Sequence, residues 1–392
     1  MFTAAVIPAT PLPMIIVLDM RVQSSDYKSC NGVKPPTFNS QINIKIIKAI
    51  ILFICQMNIL KNTALVLSFI GLSFSGFPQT DSTKIKGISL VAPSHESAYQ
   101  EMDTLVNIGT NWVCLMPYGF INETDATITF DIDNMWWGEQ SDGLIKGIVK
   151  AKALGLKVMV KPMLWMRNGS YTGELQLLTF AKWTVFEEEY NNFATHFAEI
   201  ADSLNVEIFC IGTELKSFCQ FKPNYFNGLV DTLNKNTALK LTYAANWDNY
   251  QNIPFWNKLD FIGVDAYFPL LPNAILEKEA VKRSWVKTKF ELKDFAEKNK
   301  KQILFTEYGY TSTMQCVKQP WNDKLSKTVN DSNQEIAIGA LIETFYPQPW
   351  FVGGFLWKWY DGKTNLPKGI ATDYTPQGKS AKKAIKNYFY SY

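Results

Sequence analysis

From Lys86 to the end of the chain, short apolar runs alternate with longer stretches in which apolar residues recur every third or fourth position. The runs are "KGISLVAP" (86), "NWVCLMPY" (111), "KVMVKPMLW" (157), "VEIFCIGTE" (206), "KLTYAANW" (240), "DFIGVDAYF" (260), "QILFTEYG" (302) and "VGGFLWKWYDG" (352). Each is rich in β-branched and aromatic residues and reads as a buried strand. The clearest intervening helix runs from about Trp183 to Leu204, where Phe186, Tyr190, Phe193, Phe197, Ile200 and Leu204 make one apolar stripe. His196 lies beside that stripe and reads as a structural histidine. Further helices are predicted over about 95–107, 141–154, 224–235, 284–299 and 331–345, whereas the link between the fifth and sixth runs is short and weakly helical. Eight strand–helix units predict an α/β fold, a single (β/α)8 TIM barrel. An open doubly wound sheet is the alternative, but no Gly-rich phosphate turn follows the first run.

Composition narrows the function classes. The 392 residues are 47% hydrophobic and 19% charged, which excludes disorder. A net charge of +3 without a long basic run gives nucleic acid no purchase. Two histidines exclude a His-rich metal site, and there is no C-x-x-C pair, no G-x-S-x-G elbow and no Walker-type loop. Among the six cysteines, Cys114 and Cys210 sit inside strand runs and read as buried thiols. Cys219 and Cys316 follow strand ends, and a bridge between them is an open option for an exported protein.

The first 80 residues carry a different pattern. "MNILKNTALVLSFIGLSFSGFPQ", from Met57, has a basic start, a short apolar centre and a small-x-small exit at Ser73 and Ser75. That is the layout of a secretory signal. Residues 1–56 then read as a mis-assigned upstream extension, 57–80 as the signal peptide or N-terminal anchor, and 84–392 as the barrel. Export to the periplasm, cell surface or medium is expected. The alternative joins "INIKIIKAIILFICQ" (42–56) to the following run as a membrane anchor.

Two strand runs end on a carboxylate: "FCIGTEL" at Glu214 and "ILFTEYG" at Glu307. In a barrel, groups at the C-terminal strand ends face one mouth, and strands four and seven lie across it from each other. Strand alternation counted from Glu214 turns Val206, Ile208, Cys210 and Gly212 to the interior; counted from Glu307 it turns Ile303 and Phe305 there. Two facing carboxylates suit glycoside hydrolysis, with a proton donor for the leaving oxygen and a second group for the anomeric carbon, about 5–5.5 Å away in retaining enzymes. The bland alternative pairs each Glu with a rim cation such as Lys161.

The phrases "IGTEL" (211–215), "DFIGVDAYFPL" (260–270), "FTEYGY" (305–310) and "GGFLWKW" (353–359) resemble clan A glycoside hydrolases, and most of all glycoside hydrolase family 113, over about Lys84 to Tyr390. The resemblance implies retaining hydrolysis of β-1,4-linked mannan without a cofactor or metal, with Glu214 as acid/base and Glu307 as nucleophile. Hydrolysis of another β-linked glycan, or glycan binding without catalysis, are the alternatives. One departure is Thr213, where much of the clan has Asn. Trp357 resembles the clan's floor for the reacting sugar, with a core tryptophan as the alternative, and Tyr267 reads either as a hydrogen-bond donor to the nucleophile or as a plain rim tyrosine. Asn246, Trp165 and Lys161 end other strand runs, Trp136 and Trp137 ("MWWGEQ") sit where loop tryptophans stack on sugars, and His95 follows the first run. The expected partner is a poly- or oligosaccharide, met by a monomer.

Overall fold

In chain order the strands are β1 (Ile85–Val91), β2 (Trp112–Leu115), β3 (Tyr118–Asn122), β4 (Thr127–Phe130), β5 (Lys157–Val160), β6 (Met163–Met166), β7 (Ile208–Thr213), β8 (Lys240–Asn246), β9 (Ile262–Asp265), β10 (Ile303–Tyr308) and β11 (Phe351–Tyr360). The eight predicted runs all form strands, and they close a parallel barrel in the order β1-β11-β10-β9-β8-β7-β5-β2. The computed structural model describes residues 84–270, 276–362 and 366–392. The upstream extension and the signal segment lie outside the described residues.

Helices α1 (Glu101–Asn107), α2 (Ser141–Ala153), α3 (Phe180–Ser203), α4 (Lys216–Phe221), α5 (Tyr225–Asn236), α6 (Lys278–Ser284), α7 (Val286–Asn299), α8 (Asp331–Phe345) and α9 (Ser380–Ser391) surround it. Helix α3 starts earlier than its stripe because the Thr179 side chain caps it, accepting from Lys182 N at 3.3 Å. Its stripe residues Phe186, Tyr190, Phe193 and Phe197 are fully buried in the layer between barrel and helices. The weakly helical link after β8 forms only two short 3-10 turns, Tyr250–Asn252 and Trp256–Lys258.

One predicted strand is two. "KVMVKPMLW" breaks at Pro162 into β5 and β6, and β2 likewise gives way to β3 at Pro117. Beyond the prolines the pair continues as a small separate sheet, β4-β3-β6, with β3 antiparallel to β4 and parallel to β6. This sheet stands above the barrel mouth as a wall.

The interior of the barrel is a second, smaller cluster of Ile85, Trp112, Cys114, Met116, Met159, Ile208, Cys210, Ala244, Leu304 and Phe355. Simple alternation therefore placed several residues on the wrong face. Val206, Ile303 and Phe305 pack outward in the helix layer, and a side chain on Gly212 would run into Tyr190 and Tyr243 of that same layer. Strand β7 carries an extra residue between Cys210 and Thr213 relative to β8, and β10 carries one between Phe305 and Glu307 relative to β9. Each bulge reverses the side-chain phase just before the carboxylate. All four cysteines among the described residues are free and buried, so Cys219 and Cys316 do not pair.

The barrel closes where β1 meets β11, and Gly353 sits at that seam opposite Ile85 with φ +119°. A Cβ there would collide with the Ile85 backbone. Gly353→Ala should cost roughly 3 kcal/mol and lower the melting temperature by roughly 5 °C, read by calorimetry on the full chain; unchanged melting would mean the seam relaxes freely.

Candidate active site

Glu214 lies one residue past the end of β7 with φ +54°, a left-handed conformation that a side chain adopts only at a cost. Two hydrogen bonds hold it: Glu214 N to Ala244 O at 2.8 Å, and the Tyr243 hydroxyl accepting from Leu215 N at 2.8 Å. Glu307 is the fifth residue of β10 and is 6% exposed. Its Oε1 accepts from Lys161 Nζ, and its Oε2 accepts from the Tyr267 hydroxyl at 2.7 Å. Both oxygens are thereby oriented. The ring of Trp357 lies 5.5 Å from Lys161 Nζ, which places the indole beside this ion pair.

Lys161 is 0% exposed, one residue past β5. Burial lowers its pKa, but the Glu307 carboxylate, joined by Asp265 once that group ionises, outweighs burial and holds it above the ordinary lysine range. Asp265, the last residue of β9, is also 0% exposed and stands in register with both Glu307 and Asn246. Its Oδ1 accepts from the Thr306 hydroxyl at 2.8 Å, and its Oδ2 is buried without a partner. Burial first, then Glu307, push its carboxyl up to about 8. Glu214 follows the same logic: burial, then Asp265, then Glu307 raise it well above the usual carboxylate range, partly offset by Lys161 and a hydrogen bond from the Tyr171 hydroxyl. One cation thus serves three carboxyl groups. Glu307 holds it directly, and the other two retain protons.

The other predicted residues divide. Trp136 and Trp165, half-exposed at 51% and 50%, line a cavity of about 990 Å³ with Trp357, Tyr118, Glu139 and Lys358. Trp137 turns the other way and packs against Tyr99, ring centroids 5.8 Å apart, under Lys146. His95 is exposed on the loop after β1. Asn246 donates to the Tyr171 hydroxyl at 3.1 Å, on the Glu214 side of the mouth. Thr213 is buried and its hydroxyl has no partner. Lys161, a candidate substrate contact at its strand end, is instead sealed beneath the mouth and pairs with Glu307, the cation pairing that the bland alternative foresaw for a glutamate. His196 is indeed a tie between elements, bonding Ser141 Oγ at 2.7 Å.

A family model for glycoside hydrolase family 113 matches residues 92–379. The chain belongs to glycoside hydrolase family 113. A structure of the family 113 β-mannanase from Alicyclobacillus acidocaldarius, in complex with ManMIm, superposes with a TM-score of 0.70 at 23% identity, covering 79% of this chain and 98% of that one. A second family 113 β-1,4-mannanase complex gives 0.68 at 23% identity, covering 79% of this chain and 99% of the other. A β-glucuronidase from Faecalibacterium prausnitzii gives 0.52 at 14% identity over 79% of this chain and 49% of that one. A search of curated protein sequences finds no match.

In this family 113 chain, reading by residue type overlooked Asp265, Tyr171 and Glu139. Asp265 carries the same signal as the two glutamates, a carboxylate closing an apolar run in "GVDAYF". Tyr171 had no such signal, because it sits in a loop that only the tertiary fold brings to Glu214. Buried Asp265 also has a stability signature. Its folded-state carboxyl keeps its proton up to about 8, whereas an unfolded Asp loses it near ~3.9. The folded state therefore binds the extra proton, and stability falls as pH rises through that window. Asp265→Asn should flatten the decline between pH 5 and pH 8.5 in urea denaturation, both by removing its own proton and by relieving Glu214 of the Asp265 charge; parallel declines would refute the assignment.

Proposed function

We propose that the chain is a retaining glycoside hydrolase that cleaves β-1,4-mannosidic linkages in mannan-type poly- or oligosaccharides, with Glu214 as acid/base and Glu307 as nucleophile. The observation that carries this reading is the unequal treatment of two carboxyls at one mouth. Glu307 is gripped by Lys161 and Tyr267, while Glu214 is pushed toward its acid form. That is the division of labour retention needs. The β-mannanase descriptions of the structural neighbours support mannan as the substrate. The signal-like segment from Met57 supports action outside the cytoplasm.

In the first step the Glu307 oxygen forms a bond to the anomeric carbon as the bond to the leaving oxygen breaks, and Glu214 gives that oxygen its proton. In the second, water attacks the same carbon, Glu214 takes the water's proton, and Glu307 leaves as a carboxylate. Tyr267 and Lys161 hold Glu307 throughout the approach. The Tyr171 and Asn246 side chains frame Glu214, where the departing sugar must lie.

Product analysis on mannan, glucomannan, xylan and cellulose tests the substrate, and the anomer first released tests retention. Glu307→Ala should abolish hydrolysis, and azide should yield an α-glycosyl azide of inverted configuration. Glu214→Ala should slow unactivated substrates about 10²–10⁴-fold, and with an activated aryl glycoside azide should restore turnover and give the β-azide. Exchanged stereochemistry would reverse the two roles; full activity in either variant would refute them. For the wild type, kcat/KM should fall on the alkaline side as Glu214 loses its proton, and that limb should vanish for activated aryl glycosides, whose bond cleavage needs no acid.

A further inference from the structure

Glu139 is a carboxylate that neither the fold nor the proposed mechanism uses. It follows Gly138 in the loop between β4 and α2, is only 9% exposed, and lines the same cavity as Trp136, Trp165 and Trp357. No cation pairs with it among the described residues. Lys358 shares the cavity, but its ion pair is with Asp373 at 3.7 Å, and Arg167 reaches Thr129 Oγ1 at 3.4 Å. Burial pushes the Glu139 carboxyl up to about 7, offset only by the backbone N–H of Trp136.

The loop that presents it is fixed at both ends. Asp131 accepts from Ser141 N at 2.7 Å and from Ser141 Oγ at 2.6 Å, and His196 bonds the same hydroxyl at 2.7 Å. Between them, Gly138 N donates to Pro93 O at 2.8 Å, and Trp137 packs down on Tyr99. Glu139 is therefore held in place over the cavity. A buried carboxyl without a cation is costly unless something hydrogen-bonds it.

The cavity also has a direction. Tyr171 and Asn246 stand beside Glu214, so the leaving sugar lies on that side. Trp357 joins the cavity to Lys161 and Glu307, so the cavity receives the sugars that stay on the enzyme. Exposed Trp136 and Trp165 offer flat apolar faces that hold many pyranoses without choosing between them. A fixed carboxyl is selective, because two neighbouring hydroxyls must both point at it.

Resting on the glycosidase reading above, we propose that Glu139 is the specificity residue of the glycone arm, accepting hydrogen bonds from a neighbouring pair of free hydroxyls on a neutral sugar beyond the one attacked. Lys358, which lines the same cavity, supplies a donor to the same sugar. The site thus selects an unsubstituted neutral hexose chain.

The test uses the full chain carrying Glu307→Ala, which cannot turn substrate over, with and without Glu139→Ala or Glu139→Gln. Calorimetric binding of mannohexaose should weaken about 10- to 100-fold for Glu139→Ala, the size expected for hydrogen bonds to a charged group, and less for Glu139→Gln. In otherwise wild-type protein, the kcat/KM ratio of mannohexaose to a 2,4-dinitrophenyl β-mannoside should drop by a similar factor. Hexaose affinity should tighten as pH rises through about 7, and that increment should disappear in Glu139→Gln, leaving only the pH dependence due to Glu214 and Asp265. Unchanged affinity in both variants, tighter binding of glucosamine oligomers than of mannohexaose, or no binding of any oligosaccharide from the mannan, xylan or cellulose series would overturn the proposal. Binding without hydrolysis by the wild type would refute the glycosidase reading alone, leaving the Glu139 comparison valid on the oligomer that binds.

Discussion

The buried ion pair between Lys161 and Glu307 sets the terms for the whole mouth of the barrel. Taking a lysine and a carboxylate out of water together is tolerable only because each satisfies the other, and losing one partner of such a pair typically costs about 3–5 kcal/mol. With Lys161 committed to Glu307, no second cation pairs with Asp265 or Glu214 among the described residues, and both are driven to keep their protons. Removing the positive charge here would raise Asp265 and Glu214 further still. The charge that steadies Glu307 only partly offsets the burial and the neighbouring carboxylates that raise Glu214.

Placing those groups on one level required breaking strand regularity twice. The bulges in β7 and β10 each add a residue just before a glutamate, and the left-handed turn at Glu214 then swings its side chain off the strand's alternation. Such irregularities cost order in the ladder, and they persist because the surrounding hydrogen bonds over-determine them. Tyr243 illustrates the support. It accepts from Leu215 N while its ring packs against Phe226 and Phe255 in the helix layer, so the hydrophobic shell fixes the position of a polar turn.

The walls above the mouth differ in construction. On one side two prolines end β2 and β5, and the chain resumes as a small sheet bearing Trp165, opposite the pinned loop bearing Trp136 and Glu139. On the other side Trp247, next to Asn246, stacks on half-exposed Trp321 with centroids 5.1 Å apart, and the Tyr374 hydroxyl bonds Pro320 O at 2.5 Å beside it. Tyr374 in turn lies 6.2 Å from Tyr267, ring to ring. Aromatic surface therefore flanks the carboxyl groups on both sides, with the polar selectivity concentrated around Glu139.

The sequence by itself determined the eight barrel strands, most of the helices and the two strand-end glutamates, because period and burial are local properties of a chain. It also placed Tyr267, Trp357, Trp136 and Trp165 at the mouth, since strand ends and long loops of a barrel converge there. Only the tertiary structure decided which face each residue takes near the site: a single extra residue in β10 moved Phe305 outward and Glu307 inward, and composition carries no mark of a bulge. Only it decided that Trp137 is packing and Trp136 is lining, though they are adjacent and identical. And only it decided that Lys161 meets Glu307 and Asp265 in the dry interior, because whether a charge is solvated or buried depends on residues far away in the chain.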